Sequence, residues 1–101
     1  MTRQQVATVG TDVPIDSTGE KMRRAVPGDT LVALNIEATE ETSYALDISA
    51  DGETWFTDER TYNLTASVSD RFRVAAAYIR VRVTTTASAG ETADITIQEA
   101  R

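Results

Sequence analysis

The chain of 101 residues contains no cysteine and no histidine. Without cysteine there is no disulfide framework, so the fold must rest on a packed core. The joint absence removes Ser-His-Asp and Cys-His nucleophilic machinery and the usual zinc ligand sets. Lysine is nearly missing as well: Lys21 is the single lysine among ten basic residues, and the other nine are arginine. Sixteen acidic residues outnumber them and give a formal charge of −6, a field that repels nucleic acid. The longest apolar run, Val74 to Ile79, is far below the roughly 20 residues that span a bilayer. Residues 1–10 carry no apolar core of a secretory signal, so none is expected. These absences favour a binding or structural module over an enzyme, with no cofactor, metal or membrane partner. At this length one domain over residues 1–101 is expected, burying roughly 65% of the surface its unfolded chain exposes.

What is present is a two-residue hydrophobic period. Val32, Leu34, Ile36 and Ala38 alternate with Ala33, Asn35 and Glu37. Tyr44, Leu46, Ile48 and Ala50 repeat the pattern. Tyr62, Leu64, Ala66 and Val68 form a third row, which a turn at Ser67–Asp70 is expected to break. Phe72, Val74 and Ala76 make a fourth. Ile79, Val81 and Val83 give the clearest strand, and Ala93, Ile95 and Ile97 the last. Gln5–Val9 and Val13–Ile15 fit edge strands, and Glu20-Lys21-Met22-Arg23-Arg24 reads as an exposed strand or loop.

Turn chemistry falls between these runs. Val26-Pro27-Gly28-Asp29 suits a type II turn, Asp51-Gly52 a hairpin, and Asp16–Gly19 and Ala87–Glu91 further loops. No segment keeps a helical period. The expected fold is therefore all-β: a small antiparallel β-sandwich, jelly-roll-like, with about eight short strands.

Candidate binding residues cluster in two stretches. Ser49-Ala50-Asp51-Gly52-Glu53-Thr54-Trp55-Phe56 resembles the Asp-box hairpin, Ser-x-Asp-x-Gly-x-Thr-Trp, of sialidases and other β-propellers, with one residue missing between Asp and Gly. A single copy builds no propeller. Trp55 and Phe56 then either plug the sheet end or form a platform for a sugar ring or a partner. Ala77-Tyr78-Ile79-Arg80-Val81-Arg82-Val83-Thr84 resembles a strand of galactose-binding-like and discoidin-like sandwiches. Tyr78, Arg80 and Arg82 share a face, and Arg71 and Arg73 are expected on a neighbouring strand. The four guanidiniums either pair with carboxylates such as Asp47 and Asp94 or form a stripe for an acidic partner. Glu40-Glu41 and Asp58-Glu59 read as solvated turn charges, because strand neighbours point to opposite faces.

The order of these features from Val26 to Ile97 resembles small β-sandwich virion proteins of tailed viruses, which decorate a capsid or sit in a turret, neck or tail. That resemblance implies a virion structural protein. It would dock on a major capsid protein or other virion proteins as a homo-oligomer, a trimer or a pentamer, through Trp55, Phe56, Arg71, Arg73, Tyr78, Arg80 and Arg82. Sixteen threonines, fourteen alanines and the acidic balance also resemble proteins of extreme halophiles, which suggests a haloarchaeal host. The alternative is a carbohydrate-binding module that stacks a glycan on Trp55, Phe56, Tyr62 or Tyr78.

Overall fold

A computed structural model describes residues 7–99. Six strands follow one another: β1 (Ala7–Pro14), β2 (Gly19–Ala25), β3 (Thr30–Ser49), β4 (Trp55–Val74), β5 (Tyr78–Thr85) and β6 (Thr92–Glu99). All pairings are antiparallel. They build one open sheet in the order β1-β6-β3-β5-β2, with β4 paired to β3 off this path.

β3 organises the sheet. Val32–Ala38 pair with β6, Ser43–Ser49 pair with β5, and β4 follows both stretches along the other edge. The sheet curls into a half-barrel around one core. Val32, Leu34, Ile36, Tyr44, Leu46, Ile79, Val81, Val83, Ile95 and Ile97 all point inward and are buried. These are the rows that alternation selects, and burying each such side chain is worth roughly 1.5–3 kcal/mol.

The all-β expectation holds, but the described residues form six strands, two of them long, in one curled open sheet. The turn expected at Ser67–Asp70 is continuous strand in β4. What interrupts β4 is a pair of bulges at Asp58 (φ 60°) and Leu64 (φ 48°). Their backbone N–H groups donate to side chains of β3: Asp58 to Asp47 Oδ1 at 2.8 Å and Leu64 to Ser43 Oγ at 3.0 Å. The irregularity at Asp58 sets four residues of β4 against two of β3 and keeps the side-chain parity, whereas the one at Leu64 sets three against two. Leu64, in the expected apolar row, sits at that second bulge and is exposed, while Val68 is buried. Of the expected first strand, Gln5 and Val6 lie outside the described residues.

Ion pairs hold the curl. Arg24 on β2 donates to Glu99 Oε2 on β6 at 2.7 and 2.9 Å and to Thr8 Oγ1 on β1 at 2.7 Å. That contact joins one end of the strand order to the other. On β4, Arg60 Nε and Tyr62 Oη donate to Asp70 Oδ2 at 2.8 and 2.7 Å, and Arg60 lies 4.8 Å over the Phe72 ring. Ten residues of straight strand would span about 34 Å, so the Arg60–Asp70 contact requires β4 to bend back on itself.

Candidate functional site

The Asp51 hairpin forms from its own side chains. Ser49 Oγ accepts the Gly52 N–H at 2.9 Å, and Asp51 Oδ1 accepts the N–H groups of Glu53 and Thr54 at 2.8 Å each. The Thr54 and Glu53 amides hold the Asp51 carboxyl below the usual range. Gly52 takes φ 79°, where a Cβ would meet the Tyr78 ring at 3.6 Å. This turn sets Trp55 opposite Ser49 and starts β4.

Trp55 is roofed by guanidiniums. Arg80 sits 4.3 Å and Arg23 5.3 Å from its ring centroid. Arg80 Nε donates to Asp47 Oδ2 at 2.8 Å, and Arg82 reaches both Asp47 oxygens and Asp58 Oδ1. Arg23 forks onto Glu20 with two contacts of 2.8 Å. Asp47 is fully buried. Burial pushes its carboxyl up, but hydrogen bonds from Arg82, Arg80 and the Asp58 amide outweigh this and hold it below its ordinary value. The outer face of the β2-β5-β3 half is thus covered by its own side chains. Tyr78 lies in this layer. Phe56 does not, and remains 64% exposed.

The outer face of the other half is built differently. Arg71 on β4 stands opposite Ala33 on β3, which stands opposite Gln98 on β6. Paired residues point to one face, so the short alanine between two long side chains leaves a trough. Its volume is about 310 Å³, and Leu31, Val32, Ala33, Arg71 and Gln98 line it. Beside it a wider trough of about 630 Å³ runs between the Pro27–Thr30 turn, Leu31, Arg73 and Glu99. The two meet at Leu31.

Arg71 and Arg73 are the only described arginines with no carboxylate within hydrogen-bonding distance. Arg73 comes no nearer than 3.7 Å to Asp29 Oδ1, with both side chains largely in solvent. The Arg71 backbone N–H donates to Asp70 Oδ1 at 2.9 Å, but its guanidinium has no partner among the described residues.

The structure thus divides the seven candidate residues. Trp55, Tyr78, Arg80 and Arg82 come together in the covered layer. Arg71 and Arg73 border the troughs, and Phe56 stands apart. The expected four-arginine stripe does not form, because β4 and β5 lie on opposite edges of β3 and the two arginine pairs face different halves of it. Asp47 takes Arg80 and Arg82, as one of the two expected pairings had it. Asp94 instead accepts the Asp12 N–H at 2.9 Å. Glu40 is engaged by Ser88 through its N–H and hydroxyl. Among the described residues no three acidic side chains converge in a way that could hold a metal.

Sequence reasoning missed Leu31, Ala33 and Gln98. Only cross-strand register reveals that Ala33 separates two long side chains. No protein-family model, curated protein or solved structure matches this chain.

Proposed function

We propose that this protein is a virion structural protein, a capsid decoration or turret accessory that docks on the viral shell as a homo-oligomer. The observation that supports it is the asymmetry between the two outer faces. One consumes its arginines internally, while the other leaves Arg71 and Arg73 exposed beside open troughs. Uncommitted cations on a chain of net charge −6 suit a repeated acidic surface, where many weak contacts add through symmetry.

The same proposal treats the curled sheet as a small jelly-roll-like β-sandwich, its two halves hinged along β3 and β4 over a shared core. The carbohydrate reading has less support, because two guanidiniums already occupy the neighbourhood of the Trp55 ring.

Peptide mapping of purified particles tests the docking role, together with rebinding of the isolated chain to stripped capsids. Recovery in particles at a fixed ratio to the major capsid protein is expected. Absence from particles removes the proposal.

A further inference from the structure

We propose that the troughed face bordered by Arg71 and Arg73 binds an extended acidic peptide segment of a partner protein, with carboxylates two residues apart seated on the two guanidiniums. The inference rests on the docking role above and specifies the chemistry of the partner.

Spacing carries the argument first. Arg71 and Arg73 are two residues apart on one strand, so they share a face about 7 Å apart. An extended ligand carries its same-side side chains at that same interval. A guanidinium fork also matches a carboxylate bidentately, which favours this group over a neutral amide.

The chain contains its own precedent. Arg80 and Arg82 have the identical spacing on β5, and both grip one carboxylate, Asp47. Arg71 and Arg73 repeat that spacing with no carboxylate in hydrogen-bonding reach of either guanidinium. Between them and Gln98, Ala33 leaves depth for a ligand backbone, and Leu31 offers an apolar floor where the troughs meet. Asp29, loosely placed 3.7 Å from Arg73, is the internal anion that the ligand displaces.

The test uses the full chain and fluorescence anisotropy with two labelled ten-residue peptides, alternating Glu-Ser and alternating Gln-Ser, in dilute salt. The acidic peptide is expected to bind at least about tenfold more tightly than the neutral one, and more weakly as salt is added. The double variant Arg71→Gln/Arg73→Gln is expected to lose about tenfold in affinity for the acidic peptide at an unchanged melting temperature, since neither side chain supports the fold. Asp29→Asn, which removes the competing anion, is expected to tighten binding.

Equal affinity for both peptides, no binding of the acidic one, or full affinity in the double variant overturns the inference. So does tighter binding of a ten-nucleotide single-stranded DNA. The two readings fail separately. If particles retain the double variant, this inference falls and the docking role stands. If the double variant loses the peptide but the chain is missing from particles, the docking role falls and this inference stands.

Discussion

Replacing Asp47 by alanine removes the acceptor on which the β2-β5-β3 half depends. Its carboxylate is fully buried and takes contacts from Arg80, Arg82 and the Asp58 amide. The substitution leaves two guanidiniums, each about one-fifth exposed, without their main anion, and a bulge amide without its acceptor. Breaking a buried ion pair from one side costs about 3–5 kcal/mol. Arg80 keeps Glu20 at 3.6 Å and Arg82 keeps Asp58 at 2.6 Å, so the lower end applies here. About 3 kcal/mol is a large part of the 5–15 kcal/mol that stabilises a typical domain. At about 4–8 °C per kcal/mol for a small domain, the melting temperature should fall by about 12–24 °C.

Asp47→Asn retains an oxygen for the Asp58 amide and should fall less. The assay is thermal unfolding followed by far-ultraviolet circular dichroism at neutral pH. Acidification supplies a second readout. A carboxyl held low in the folded state stabilises it above the unfolded value of 3.8, and that contribution is lost as pH drops through the folded value below it. The wild-type chain should therefore lose more stability below about pH 4 than Asp47→Asn does. A melting temperature within about 3 °C of wild type for Asp47→Ala would refute the reasoning, because so small a change is worth less than 1 kcal/mol.

Other substitutions probe separate parts of the fold. Tyr44 is buried with a hydroxyl that has no partner among the described residues, so Tyr44→Phe should leave stability unchanged or raise it by about 1 kcal/mol in urea unfolding. A clear loss would mean that the hydroxyl is satisfied. Gly52→Ala places a Cβ at φ 79° against Tyr78 and should cost about 1–2 kcal/mol by the same measurement. If the acidic, lysine-poor surface is an adaptation to salt, the chain should melt higher in about 3 M than in about 0.1 M salt, because the Debye length shrinks from about 10 Å to below 3 Å.

Much of the core was legible in the sequence because inward residues of central strands alternate cleanly, as Ile79-Val81-Val83 and Ala93-Ile95-Ile97 do. β4 was not legible in the same way. It is an edge strand whose first half is largely exposed, with only Tyr62 of that half packed on the core, and its bulges at Asp58 and Leu64 interrupt the register where the apolar pattern is weakest. Ser67, Ser69 and Asp70, with the single apolar Val68 among them, read as a turn although they lie in continuous strand. The site divides along similar lines. The Asp47 pairing was foreseeable from Arg80-Val81-Arg82, since cations at alternate positions of a central strand need an anion opposite. That Arg71 and Arg73 face a different half of β3 depended on the strand order, which local periodicity does not encode.

On the proposed reading the fold uses its arginines in two ways, some for structure and two for a partner. The melting temperatures of the seven single Arg→Gln variants at positions 23, 24, 60, 71, 73, 80 and 82 test this directly. Variants at 24, 80 and 82 should unfold well below the wild type, and those at 71 and 73 should match it. Destabilisation at 71 or 73 as large as that at 82 would contradict it.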